Sequence, residues 1–410
     1  MKNFISIGKG VVLLLSILLV FNSCKVTTET KRVEETYLVV LSLDGFRWDY
    51  PNMYETPWLD SIAKIGIRAE GLMPAFPTKT FPNHYTIATG LHPGHHGLVQ
   101  NSFYAPDLDL FYQVSDRKMV EDHRFYGGEP IWTTAEKQGV TTANLFWVGS
   151  EVNSSKGVPS IRKKYDHHLP FSQRVDSVIH WLSLSQEIRP RFVMTYMHEP
   201  DAVGHSYGPY SNEVAQKVAL LDSLVGDLYT KLNKLPIAGM INLVVTSDHG
   251  MGAIDSSRSI YLKGLLKESW IARHEGSNPV YMLDANAGCV DSIGCALSGI
   301  KHISWWKKEE IPSELCYNHQ RVKDFVLVAD SAWSLYWEAN SSGYFKGTHG
   351  YLPSNKDMHA IFYATGPAFK QGSKVPVFQN IELYGLFARV LGLKAAETDG
   401  EINHIEEMLQ

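Results

Sequence analysis

The chain has 410 residues, 44% of them hydrophobic and 11% aromatic, with a formal net charge of −5. That is enough apolar side chain for the core of one large or two ordinary domains, and it excludes a disordered chain. The charges are spread along the sequence with no basic run longer than pieces such as Arg162–Lys164, which excludes a tract for bulk nucleic acid.

Lys2 and Lys9 come first, ahead of an apolar run from Val11 to Phe21 that is shorter than the ~20 residues of a membrane span. With Asn22, Ser23 and Cys24 behind it, the run reads as an export signal. A cysteine after a small residue at this point resembles the cleavage box of bacterial lipoproteins. That resemblance implies a signal over residues 1–24 ending at an acylated Cys24, a polar tether over residues 25–36, and a place at the periplasmic side or cell surface of a bacterial envelope, held to the membrane by lipid. An ordinary signal peptide or a single anchor is the alternative. Export also permits disulfides, and Cys289, Cys295 and Cys316 could form at most one, with one thiol left over.

Short apolar, β-branched runs follow, and they end abruptly in side chains that bind metals. "YLVVLSLDG" ends at Asp44, "RFVMTYMHEPDAVGH" runs into Asp201 and His205, "INLVVTSDHG" ends at Asp248 and His249, and His349 in "GTHGY" precedes "HAIFYATG". Such runs predict buried parallel strands, and "EVAQKVALLDSLVGDLYTKL" between two of them predicts a helix. The expected fold is an α/β sandwich, in which ligands gather beyond the carboxyl ends of the strands. Singly, such an Asp is a turn or cap and such a His a satisfied loop residue. Their repetition sets them apart.

Between the first two runs lies "PTKTFPNHY", Pro77 to Tyr85. Pro82 suits the first turn of a helix that continues to Gly90, which places Thr80 at the helix entrance. There it is either an N-cap worth about 1 kcal/mol or a nucleophile, because a helix N-terminus and a bound cation both stabilise an alkoxide and an approaching phosphate. Thr78, two residues further out, has neither advantage.

Asp44, Asp201, Asp248, His205, His249 and His349 supply six oxygen or nitrogen donors. That is enough for two zinc-like sites of three protein ligands, each with an open position. Two divalent cations outweigh three carboxylates and attract phosphate, and two metals about 4 Å apart can clamp the attacking and leaving oxygens of an in-line displacement.

In this order, "LSLDGFR", "FPTKTFPNHYTIATGLHPGHHGLVQN", "GEPIW", "FWVGS", "EPDAVGHSYGP", "TSDHGM" and "GTHGY" resemble the nucleotide pyrophosphatase/phosphodiesterase family of the alkaline phosphatase superfamily, from about Tyr37 to near Ile381. The resemblance implies an alkaline phosphatase-like central, mostly parallel sheet sandwiched between helices. It implies two Zn2+ per chain, one held by Asp201, His205 and His349, the other by Asp44, Asp248 and His249 with the Thr80 oxygen. Thr80 would attack the phosphorus of a diester and form a covalent phospho-threonine, released by water activated at the Asp201 zinc with overall retention. Asn101 and the backbone of Phe81 resemble the family's contacts to a phosphate oxygen. Trp147 and Tyr165 match positions at which family members stack a nucleobase, and Phe81 stands beside the nucleophile; the alternative is that these are ordinary core or loop aromatics.

The remaining segments are assigned around that centre. Residues 37–405 read as the catalytic domain, with 254–345 an insert that edges the pocket. Asp166–His168 and His92–His96 read as loop residues and not as a third metal site. Three functions stay open: a zinc phosphodiesterase releasing nucleoside 5′-monophosphates from nucleotide diesters or pyrophosphates, a relative acting on lipid or choline headgroup diesters, and a metal-stabilised binding or sensing lipoprotein. A sulfatase lacks its modified Cys or Ser. The oligomeric state is not legible.

Overall fold

The apolar runs pair as strands of one eight-stranded sheet in a computed structural model that describes residues 35–153, 157–339, 345–401 and 405–410. In chain order the strands are β1 (Tyr37–Leu43), β2 (Ile67–Ala69), β3 (Thr142–Leu145), β4 (Ile161–Lys163), β5 (Phe192–Met197), β6 (Ile241–Thr246), β7 (Phe362–Thr365) and β8 (Ser373–Val375). Across the sheet they lie in the order β8-β2-β7-β6-β1-β5-β3-β4. The run from β6 through β1 and β5 to β4 is parallel, and β7 is antiparallel to both its neighbours. The mostly parallel sheet expected from the sequence is therefore present.

Side-chain alternation explains why the runs are continuously apolar. Along β1, Leu38 and Val40 join Phe192, Met194, Val244 and Phe362 in one core, while Val39 and Leu41 join Val193, Leu243 and Val245 in a second core on the other face. A strand buried on both faces has no polar side to show. Helix Asn212–Leu232 closes the second core with Val214, Val218, Leu221, Val225, Leu228 and Leu232, spaced by three and four residues. Its start is set by Ser211, whose hydroxyl accepts from the Val214 N–H at 3.2 Å. Helices Thr80–Thr89 and Leu383–Leu391 cover the opposite face.

Between β6 and β7 the described residues of 254–345 carry a four-stranded antiparallel sheet, ordered Ile271–Ser277, Val280–Ala285, Phe325–Ala329, Ile303–Lys307. It has a core of its own, which includes Leu262, Leu283, Ile293, Phe325 and Leu327.

The fold does not stop at residue 405: Met408 is buried, and the Gln410 N–H donates to Ala368 O at 3.0 Å, so the tail packs to the last residue. Cys289, Cys295 and Cys316 are all free thiols, so the disulfide that export would permit does not form among them. The compact unit runs from Thr36 to Gln410. The export signal, Cys24 and nearly all of the tether lie outside the described residues. Among those described, no helix is long and apolar enough to cross a membrane.

Candidate active site

Three neighbouring parallel strands deliver the acids to one place. Register pairs Leu43 of β1 with Met197 of β5 and Ser42 with Thr246 of β6, so Asp44, Asp201 and Asp248 emerge together at the carboxyl edge. The Asp201 N–H donates to Asp44 O at 3.0 Å and the Gly45 N–H to Asp248 Oδ1 at 3.2 Å. Gly45 has φ +69, and a Cβ there would stand 3.0 Å from both Cα and Cβ of Asp201, so the turn and the close approach both require glycine. His205 follows Asp201 by one turn of helix Asp201–Tyr207. His349 follows the short strand Gly347–Thr348, which pairs with Gly252–Ala253.

The six side chains form two groups, Asp201/His205/His349 and Asp44/Asp248/His249, each with its donor atoms within 4.8 Å of one another. Asp201 Oδ1 is 3.4 Å from His205 Nε2 and 3.5 Å from His349 Nε2. His249 Nε2 is 3.0 Å from Asp248 Oδ2 and 3.5 Å from Asp44 Oδ1. The groups meet where the His249 and His349 rings stack, centroids 3.6 Å apart.

Two features fit these groups to divalent cations. Each histidine ties its Nδ1–H to a backbone carbonyl: His205 to Gly347 at 2.9 Å, His249 to Gly250 at 2.8 Å and His349 to Thr78 at 2.8 Å. Each ring is thereby turned with its Nε2, the atom that carries the lone pair when Nδ1 holds the proton, towards the carboxylates. Meanwhile Asp44 Oδ1, Asp201 Oδ1 and Asp248 Oδ2 are buried without any hydrogen-bond partner, and such orphans call for a cation. Burial, with repulsion from Asp248 and Asp201, pushes the Asp44 carboxyl well above its ordinary range. Burial would raise Asp248 as well, but His249 and His84 hold it well below. A divalent ion between the carboxylates removes that repulsion.

Thr80 is the first residue of its helix, and Lys79 occupies the N-cap position. The N-cap alternative for Thr80 therefore fails: its Oγ1 lies 3.1 Å from His249 Nε2, at the second group. Thr78 is fully buried and serves the loop of His349, its hydroxyl donating to Tyr351 O at 3.0 Å and accepting from the Gly350 N–H at 2.9 Å. Between the two, the Lys79 ammonium reaches the insert and donates to Asn278 O at 2.7 Å.

Sequence reasoning missed two supports. His84, one turn along from Thr80 on the same helix, sets Nδ1 3.0 Å from Thr80 O and 3.3 Å from Asp248 Oδ2, and its Nε2 2.9 Å from Ser42 Oγ. The i, i+4 spacing from Thr80 was the available signal. Tyr196, on β5, donates its hydroxyl to Asp44 Oδ2; only the register of β1 and β5 reveals that.

A cavity of about 360 Å³ opens beside Thr80, walled by Phe81, Phe146, Trp147, Tyr165 and Tyr196 and, further out, by Arg117 and Glu151. Its lining comes from residues 80–196 and none of it from the insert. Trp147, at a position expected to stack a base, lines this cavity but is only 1% exposed, and its Nε1–H donates to His84 O at 2.9 Å. The Phe81 N–H, expected to meet a phosphate oxygen, donates to Asn101 Oδ1 at 3.0 Å. The remaining histidine motifs form no third group of metal-capable side chains among the described residues. His95 pairs with Asp399, His96 bonds Thr86, and His167 sets Nδ1 3.1 Å from the Tyr165 hydroxyl and stacks on His198.

Residues 38–352 match the family model described as type I phosphodiesterase / nucleotide pyrophosphatase. A venom phosphodiesterase of Crotalus durissus collilineatus is 34% identical over 388 residues, covering 91% of this chain and 46% of that protein. Human ectonucleotide pyrophosphatase/phosphodiesterase family member 1 is 33% identical, covering 90% of this chain and 41% of that protein. The chain thus spans about half the length of the curated relatives it matches. Among solved structures, murine ectonucleotide pyrophosphatase / phosphodiesterase 5, an inactive threonine-to-alanine variant in complex with AMP, superposes with a TM-score of 0.86 at 31% identity, over 92% of this chain and 100% of that one.

Proposed function

Because the chain belongs to the type I phosphodiesterase / nucleotide pyrophosphatase family, we propose that it hydrolyses nucleotide phosphodiester or pyrophosphate bonds and releases nucleoside 5′-monophosphates. The observation that carries this reading is the Thr80 hydroxyl, 3.1 Å from His249 at the edge of two adjoining Asp/His groups whose carboxylate oxygens lack partners. Mixed Asp/His triads with an open position suit Zn2+, two per chain, on Asp201, His205 and His349 and on Asp44, Asp248 and His249 with Thr80. When bound, the ions supply positive charge to the phosphate and to the Thr80 oxygen.

The chain's own residues do the rest. Thr80 Oγ bonds to phosphorus as the bond from phosphorus to the leaving oxygen breaks, giving a nucleotidyl-threonine. Water then cleaves that ester and regenerates the hydroxyl, and two displacements keep the configuration at phosphorus. The positive helix N-terminus faces the transferred phosphate, and Asn101, whose Oδ1 is engaged by Phe81, has its Nδ2 group to donate to a phosphate oxygen. His84 and Tyr196 hold Asp248 and Asp44 in register. Phe81 and Tyr165 offer faces for a base; stacking of ~1–3 kcal/mol discriminates little between bases. The inactive threonine variant among the relatives agrees with Thr80 in this role.

Choline headgroups would want a free carboxylate inside an aromatic cage. Glu151, the carboxylate of this cavity, is already paired with Arg117, so the nucleotide reading is preferred. A binding or sensing protein has no need of a hydroxyl at the helix entrance. Export, with Cys24 as a lipid anchor for an envelope-bound enzyme and 254–345 as an inserted subdomain, belongs to the same proposal. The test is to assay the purified protein side by side on p-nitrophenyl thymidine 5′-monophosphate, p-nitrophenyl phosphate and a choline phosphodiester. The first should turn over much faster, and preference for either of the others overturns the reading.

A further inference from the structure

The side-chain contacts across the site form a chain. Thr80 Oγ1 touches His249 at 3.1 Å, His249 stacks on His349 at 3.6 Å, His349 meets His205 at 5.0 Å, and His205 meets Phe345 at 5.3 Å between ring centroids. The hydroxyl stands at one end and a phenyl ring at the other. Phe345 is 55% exposed and belongs to no core. It is held in place through its neighbours: the Lys346 N–H donates to His205 O at 2.9 Å and Gly347 O accepts from His205 Nδ1 at 2.9 Å. Tyr207 is 49% exposed, and the adjoining Gly208 packs so closely that a Cβ there would stand 3.3 Å from Lys346 O.

One exposed aromatic is ordinary; its position is what calls for an explanation. In an in-line displacement the leaving oxygen departs on the side of phosphorus opposite the nucleophile. With Thr80 beside His249, that side is the Asp201/His205/His349 end, where Phe345 stands against solvent. The aromatic cavity is lined by Thr80 itself and by neither His205 nor Phe345, and it takes the transferred nucleotide. We propose that Phe345 is a stacking shelf for the leaving group, so that the enzyme favours diesters whose leaving group is itself a nucleoside or another planar ring over those with a small alkyl leaving group. This rests on the hydrolase reading above.

Two substrates that transfer the same thymidine 5′-phosphate separate the ideas: the dinucleotide thymidylyl-thymidine and the methyl ester of thymidine 5′-monophosphate. Comparing variant with wild type on each substrate cancels their intrinsic reactivity. Phe345→Ala should lower kcat/KM about 10-fold on the dinucleotide, within the range expected for loss of one stacked base, and less than about twofold on the methyl ester, with metal content unchanged. Phe345→Trp should restore the dinucleotide rate. Equal loss on both substrates, or no loss on the dinucleotide, overturns the shelf while leaving the hydrolase intact. A wild type that turns over neither substrate overturns the hydrolase reading and the shelf with it.

Discussion

Thr78 and Thr80 flank one lysine, yet their hydroxyls face different tasks. Thr80 Oγ1 is offered to the site, whereas Thr78 is consumed in holding Tyr351 and Gly350 beside His349. Thr80→Ala should therefore lower kcat by at least about 10³-fold, the size of loss seen when a nucleophile is removed, with thermal stability and metal content unchanged; retention of more than a few per cent of activity contradicts the assignment. Thr78→Ala strands a buried N–H and should cost about 1–3 kcal/mol of stability, visible in urea unfolding, with activity reduced but present. His96 gives a different readout. It is buried between the Thr86 hydroxyl and the Leu98 N–H, and burial pushes its pKa down to about 3. The folded state refuses a proton that the unfolded chain accepts below about pH 6.5, so stability is complete above that pH and falls as pH drops towards 3. His96→Asn keeps an acceptor for Leu98 and should flatten the slope of unfolding free energy between pH 6 and 5 by about 1.4 kcal/mol per unit; an unchanged slope would show that His96 is not the group. Asp44, Asp201 and Asp248 were legible because each stands just past an apolar run, and His349 because it stands ahead of one. His84 and Tyr196 were not, since their partners Asp248 and Asp44 lie in turns far away in sequence. The burial of Trp147 was not legible either, because sequence does not show which side of an indole is covered.

Helices and strands were read most easily where one periodicity runs undisturbed. β1, β5 and β6 and helix Asn212–Leu232 fall into this class, and their ends place the acids. Element type alone does not say which acid meets which histidine. That grouping follows from the order β6-β1-β5 and from the strand Gly347–Thr348, two residues long and silent as a sequence pattern. The helix entrance at Thr80 was legible from Pro82 and Gly90, to within one residue of its cap. The turn after β1 is the tightest element at the site. Gly45→Ala adds a Cβ 3.0 Å from Asp201 at φ +69, which costs about 1–2 kcal/mol in conformation alone before the contact with Asp201 is relieved. The expected result is a fall in melting temperature together with metal content below that of wild type. Full metal content in Gly45→Ala would show that the β1 turn does not set the Asp44–Asp201 spacing.

For the molecule as a whole, the α/β sandwich and the family were readable from the motifs in order. The insert was not readable in detail, because its antiparallel strands carry mixed burial, as the half-exposed Ile271–Ser277 shows. The fold's extension to Gln410 was hidden by the polar tail sequence. The two Asp/His groups make a demand on the intact protein: chelation should abolish turnover, and zinc should restore it with close to two ions per chain by elemental analysis. A fully active sample with one ion per chain would contradict two working sites. Central to the account is a double displacement through Thr80, and the stereochemical course at phosphorus tests it most directly. Hydrolysis of a chiral thymidine 5′-phosphorothioate aryl ester in ¹⁸O-labelled water should proceed with retention of configuration; inversion would mean that water attacks the diester directly and that Thr80 is not the nucleophile.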